Sequence, residues 1–171
     1  MNAVKDVTMT LEKFNVISDI FSQAITGELI GMSNFASLAG TIDYPYEKME
    51  AVEHADSERR HAEGYMAYAG KEGLNIRINM DSTYWGNVRN HFLNYAEKKD
   101  FIACLIIQEV MLESFAVAMY TDVGNALGGE AGKLFLDIAE EEKEHLDHSS
   151  DLLRDALNED PEGFIRKFEE I

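Results

Sequence analysis

The chain is short of proline, cysteine and cations, and each shortage removes a class of explanation. Only Pro45 and Pro161 occur among its 171 residues, so nothing between them forbids long helices. Cys104 stands alone, which excludes an internal disulfide framework. Fifteen Lys and Arg face 32 Asp and Glu, a formal charge of -17 that would be repelled by nucleic acid and by anionic membranes. No charged n-region followed by an apolar h-region opens the chain, so a cytoplasmic setting is expected. The longest unbroken apolar run, from Phe101, meets Gln108 and Glu109 after seven residues, short of a membrane span. With 46% apolar residues, positions 1–171 are expected to form one domain around one core.

What is present reads as helix. Between about Thr10 and Ala39, Phe21, Ile25, Glu28, Met32 and Phe35 alternate at spacings of four and three, the period of a buried stripe. Glu28 inside that stripe must neutralise, pair or bind a cation unless it reaches water at the stripe's edge. A turn at Gly40–Pro45 leads to a second helix, about Tyr46–Gly70, with Ala51, Ala55, Glu58, Ala62, Tyr65 and Ala69 inward and His61 one turn beyond Glu58. The alternating segment Leu74–Met80 has no strand to pair with and is read as an extended crossover. A shorter helix capped by Asp81 or Ser82 follows to Tyr95, with Trp85 and His91 as packing residues. The third long helix, about Asp100–Leu127, is apolar on nearly every side and is expected to be the most buried. It carries Glu109 and Glu113 four apart, and two like charges there raise each other's pKa unless a cation lies between them. After Gly128-Gly129 a fourth helix, about Glu130–Leu157, aligns Phe135, Ile138, Glu142, His145, Ser149 and Leu152, and the tail allows one short helix more.

Glu58 with His61, and Glu142 with His145, are Glu-x-x-His pairs whose two ends project from one helical face. One pair would mean little in so acidic a chain. Two pairs, plus a lone Glu in the apolar stripe of each of two further helices, form the constellation of a di-iron or di-manganese carboxylate bundle. His54 lacks a carboxylate three residues before it and is read as a surface or supporting residue. His148 pairs with Glu144 on a more exposed face, whereas Glu141 is placed to reach a ligating imidazole. Cys104 reads as a small core residue. The fold expected is all-α: a ferritin-like four-helix bundle with one long crossover and short extra helices.

The segments Cys104-Leu-Ile-Ile-Gln108 and Glu113-Ser-Phe-Ala-Val-Ala-Met-Tyr120, with Gly27-Glu28, Ser33-Asn34 and both Glu/His pairs, resemble the aldehyde-deformylating oxygenases. These are ferritin-like di-iron enzymes that convert a fatty aldehyde to an alkane one carbon shorter plus formate. The resemblance covers about Thr10–Leu157. It implies that Glu28 and His61 are terminal ligands of one iron, Glu113 and His145 of the other, and that Glu58 and Glu142 bridge them. It further implies two iron ions, with manganese an alternative, O2 as co-substrate, a small and mainly apolar organic substrate, and electrons from an external ferredoxin or reductase. Two positions depart from the family pattern: Phe35 stands in place of a tyrosine, and Glu109 in place of a small apolar residue, which makes Glu109 a candidate seventh ligand. The chain also stops soon after the fourth helix, implying a shorter substrate tunnel. Related readings of the same fold are an N-oxygenase-type enzyme and an iron-oxidising or peroxide-scavenging protein of the ferritin or rubrerythrin kind. The resemblance leaves oligomeric state open.

Overall fold

The structure, a computed structural model, describes residues 10–171, apart from the side chain of His148. The pairing expected of His148 with Glu144 therefore lies outside the described residues. Helix α1 (Leu11–Ala39) begins at Thr10, whose hydroxyl accepts from the Lys13 N–H. Helix α2 (Pro45–Glu72) has Pro45 in its first turn, where a missing N–H does no harm, and ends at Gly73, whose φ of 67° suits a residue without a Cβ. The Leu74 N–H closes that end on the Ala69 carbonyl at 2.9 Å.

The crossover is extended, and it is tied down by serines. Ser18 and Ser22 of α1 accept from the backbone N–H groups of Asn75 and Arg77 at 3.2 and 3.0 Å, substituting for the strand partner that this segment lacks. Helix α3 (Thr83–Glu97), capped by Ser82, then leads into one continuous helical run: α4 (Phe101–Leu105), a π-helical stretch (Ile106–Glu113) and α5 (Ser114–Leu127). Gly128 and Gly129, both at φ near +60°, turn the chain into α6 (Gly129–Glu159). A terminal helix α7 (Pro161–Glu170) is held by an ion pair between Lys167 and Asp100.

Helix α1 packs on α2, and α5 on α6. The last contact is close because Gly124 and Gly132 face each other: a Cβ on Gly132 would lie 2.4 Å from the Gly124 carbonyl oxygen. Two apolar clusters fill the bundle. One is built on Phe21, Ile25, Tyr65, Tyr120 and Phe135, the other on Phe35, Leu38, Phe92, Cys104 and Ile107. Along α1, α2 and α6 alike, the acidic and imidazole side chains lie in sequence between these clusters.

Two expectations need correction. The run 101–127 is not buried all round: Val110, Met111 and Phe115 are exposed, because the bundle covers it on one side only. By length and hydropathy this run would pass for a membrane span, yet half of its apolar window is buried and its Gln108, Glu109 and Glu113 are inside the bundle. His91 is the second correction. It lies exposed, with its ring edge against Tyr95, rather than packed inside, whereas Trp85 is buried.

Candidate metal centre

Six residues expected to converge do so, and they come from α1, α2, the π-helical stretch and α6. Glu28, Glu58, Glu113 and Glu142 are each at most 3% exposed, and His61 and His145 lie beside them. They form two overlapping groups, Glu28/Glu58/His61/Glu142 and Glu58/Glu113/Glu142/His145, whose donor atoms lie within 4.8 Å of one another. Glu58 and Glu142 belong to both groups. Glu28 is buried, which removes the alternative in which it reaches water.

The contacts inside the cluster are close but are not arranged as hydrogen bonds. His61 Nδ1 lies 2.9 Å from Glu142 Oε1 and 3.3 Å from Glu28 Oε2, and His145 Nδ1 lies 2.9 Å from Glu142 Oε2. Even so, Glu28 Oε2, Glu58 Oε1, His61 Nδ1, Glu142 Oε2 and His145 Nδ1 are buried without a hydrogen-bond partner. A buried polar atom left in this way costs about 1–3 kcal/mol, and one dication facing several such atoms removes the penalty together. Carboxylate oxygen with imidazole nitrogen is a donor set suited to iron or manganese. The residues present therefore fit two such ions.

Electrostatics point the same way. Burial pushes the Glu58 and Glu113 carboxyls well above the usual range, and the neighbouring carboxylates, Glu142 among them for both, push further. Burial also raises Glu142. For His61 burial works downward, but Glu142 and Glu28 overcome it and hold the imidazole protonated up to about 11. Burial keeps His145 below its ordinary value. Without a cation, this centre must be held together by protons.

Other side chains fix the cluster from outside. His61 turns Nδ1 toward the carboxylates and Nε2 toward Glu141 Oε2, at 3.1 Å, and Arg60 reaches the same oxygen at 3.4 Å. A carboxylate on the far nitrogen sets the tautomer that leaves Nδ1 free to bind. Tyr120 donates its hydroxyl to Glu28 Oε1. Asn34 Nδ2 donates to Gln108 Oε1 at 2.8 Å, and Gln108 Nε2 donates to Glu113 Oε1 at 2.6 Å. Gln108 and Glu113 are five apart, a separation the π-helical stretch brings onto one face. Gln108, Asn34 and Tyr120 were visible in the sequence, but no spacing rule for a regular α-helix assigns them these partners. Gly31 leaves Glu58 its place: a Cβ there would lie 3.0 Å from Glu58 Cδ and 3.1 Å from Glu58 Oε2, so that carboxylate would have to shift by a few tenths of an ångström.

His54 is not a surface residue. It is 8% exposed and its ring stacks on His145 with centroids 4.2 Å apart, while Phe35 meets it edge-on at 4.9 Å. Glu109, the candidate seventh ligand, is 1% exposed but joins neither donor group among the described residues. Burial, then Glu113, pushes its carboxyl up. Cys104 is buried and its thiol is pushed up to about 12 by burial, which suits a core residue and not a nucleophile.

A cavity adjoins the cluster, with about 420 Å³ of free space when the part open to solvent is counted. Glu28, Glu58, Glu113 and Glu142 form its polar end, and Trp85, Leu112, Phe115, Ala116 and Met119 its apolar wall. Trp85 is fixed by its indole N–H, which donates to Gln23 Oε1 at 2.7 Å, and its ring passes so close to α1 that a Cβ on Gly27 would lie 3.2 Å from it.

The family described as long-chain fatty aldehyde decarbonylase matches residues 12–167. Among solved structures, "Protein 19 with aldehyde deformylating oxidase activity from Synechococcus" is similar over 88% of this chain and 72% of its own, with a TM-score of 0.74 and 21% sequence identity. At that identity the likeness establishes the fold, a ferritin-like bundle.

Proposed function

The chain belongs to the long-chain fatty aldehyde decarbonylase family, and from that premise we propose that it is a di-iron oxygenase that takes an aldehyde with an apolar chain to an alkane and formate. The observation that carries the proposal is the pair of donor groups sharing Glu58 and Glu142 at the polar end of an otherwise apolar cavity. Glu28 with His61, and Glu113 with His145, would each complete one iron site, and Glu58 and Glu142 would bridge the two. Two irons held there would supply the O2 activation and the electron storage that no side chain here can provide.

The remaining work falls to the protein. Trp85, Leu112, Phe115, Ala116 and Met119 take the hydrocarbon chain and exclude water, so the aldehyde carbon can reach the cluster only at its carboxylate-lined end. Gly27 and Gly31 add no side chain to the α1 wall of the cavity, which Gln23 and Glu28 of the same helix also line. The Tyr120 hydroxyl on Glu28 and the Gln108 amide on Glu113 hold one carboxylate of each site, so neither must reorganise during turnover. Balancing an aldehyde and O2 against alkane, formate and water requires electrons and protons from outside. With no flavin or iron–sulfur site evident among the described residues, a separate ferredoxin or reductase would deliver the electrons.

The test is direct. Metal-free protein is loaded anaerobically with Fe(II), its metal content is measured, and reductant, O2 and a medium-chain aldehyde are added. Two irons per chain with alkane and formate in equal amounts is the expected result. Two irons without alkane would remove the substrate assignment, and no bound iron would remove the whole proposal.

A further inference from the structure

A second cavity, with about 270 Å³ of free space when the part open to solvent is counted, shares no lining residue with the first. Its wall is Phe35, Leu38, Ala51, Phe101, Leu105 and Leu152, but its polar groups are Glu47, Glu50, His54, Glu109 and Ser149. Two of these five touch His145 of the proposed centre: His54 stacks on its ring, and the Ser149 hydroxyl donates to its carbonyl at 3.1 Å. Glu47 and Glu50 are half-buried, whereas Glu109 is enclosed and its Oε2 has no hydrogen-bond partner. An oxygen so placed asks for a cation or a proton from the cavity it lines.

We propose that this second cavity is the route by which divalent metal ions reach the centre, with Glu50 at its outer part and Glu109 as the internal relay. The inference rests on the two-metal reading given above. The first cavity is poorly suited to this task, because beyond the cluster carboxylates its lining is Trp85, Leu112, Phe115, Ala116, Met119 and uncharged polar groups, and a hydrated dication gains nothing there. The second offers carboxylates at two depths, Glu47 and Glu50 half-buried and Glu109 enclosed. They do not gather into a holding site: among the described residues no group of metal-ligating side chains includes Glu47, Glu50 or Glu109. Spaced single carboxylates bind a passing ion weakly enough to release it. A chain of charge -17 also concentrates cations at its surface, and a cleft lined by carboxylates focuses them further.

The route predicts a kinetic effect without a stoichiometric one. Metal-free wild type, Glu109→Gln and Glu50→Gln are mixed with Co2+, loading is followed by visible absorption, and bound metal is counted at completion. Both variants are expected to reach two ions per chain, as wild type does, but more slowly, by about tenfold or more, the low end of what charge focusing contributes to association. Glu50→Gln should also weaken the dependence of the loading rate on salt. Unchanged loading rates in both variants, with wild type binding two ions, would overturn the route and leave the centre standing. Loss of an ion in Glu109→Gln would overturn it too, by making Glu109 a ligand. Failure of wild type to bind metal would overturn both readings.

Discussion

Raising the pH should unfold the metal-free protein and spare the metal-loaded one. Glu58, Glu109, Glu113 and Glu142 all have carboxyls raised above the ordinary 4.5, first by burial; neighbouring carboxylates push the first three further, whereas His61 pulls Glu142 part of the way back. Between 4.5 and its folded value, such a group holds a proton in the native state that the unfolded chain has released, so stability falls as pH rises through that window. His61 acts in the same direction from 6.5 to about 11. His145 acts oppositely, because the native state lacks a proton that the unfolded chain binds below 6.5, but its contribution levels off there. Above pH 6.5 the remaining terms share one sign. His61 within its window contributes about 1.4 kcal/mol per pH unit, and any carboxyl still protonated there adds to it in the same direction. Against a typical total of about 5–15 kcal/mol that is a sizeable share, and for a chain of this size it lowers the Tm by about 3–6 °C per pH unit. Metal displaces the same protons, so the loaded protein should lose this slope, and loading should acidify a weakly buffered solution. Thermal melts of both forms from pH 6.5 to about 8.5, with a proton-release titration, check this. A metal-free Tm that is flat or rises over that range, or metal uptake without proton release, would refute the reasoning.

Three further outcomes are expected. Glu113→Ala or His145→Ala should leave one bound metal where wild type holds two, whereas His54→Ala, which removes a ring packed on His145 and Phe35 but no member of either donor group, should keep both; metal analysis of purified variants decides this. Gln108→Leu takes the donor from Glu113 and the acceptor from Asn34, so it should weaken metal binding by about 10–100-fold and cost about 1–3 kcal/mol in stability, read by chelator competition and by denaturant melts. Gly132→Ala drives a Cβ into the Gly124 carbonyl, where neither backbone can yield, and should destabilise by about 1–3 kcal/mol with metal content unchanged. Gly70→Ala is the control: its Cβ meets nothing within 4 Å, so it should be neutral or slightly stabilising.

The helices and the six convergent residues were legible because burial in a bundle imposes a period on each helix separately. Glu28 follows Phe21 and Ile25 on one stripe, and Glu142 and His145 follow Phe135 and Ile138 on another, so each lies on the inner face whatever the neighbours do. The same logic failed for 101–127. Composition says that Val110, Met111 and Phe115 are apolar, but whether a second layer covers them depends on the number and placement of neighbouring helices, which no local pattern contains. For His54 the sequence left two readings open, surface or supporting, for a related reason, and the second is the one that holds. Its position on α2 is periodic with the stripe, but it became a buried partner of His145 only through the approach of α6.

By itself the sequence determined which residues could share a helical face, and therefore which carboxylates and imidazoles faced inward; that is a local property, fixed by the repeat of the backbone. The tertiary structure decided the long-range pairings: Tyr120 on Glu28, Asn34 on Gln108, Glu141 on His61, and Glu109 in a cavity apart from the centre. Those depend on how helices separated by 70 or more residues cross, and on the π-helical stretch that re-aims Gln108 toward Glu113. Distances between elements arise from packing the whole chain at once, so no window of sequence holds them.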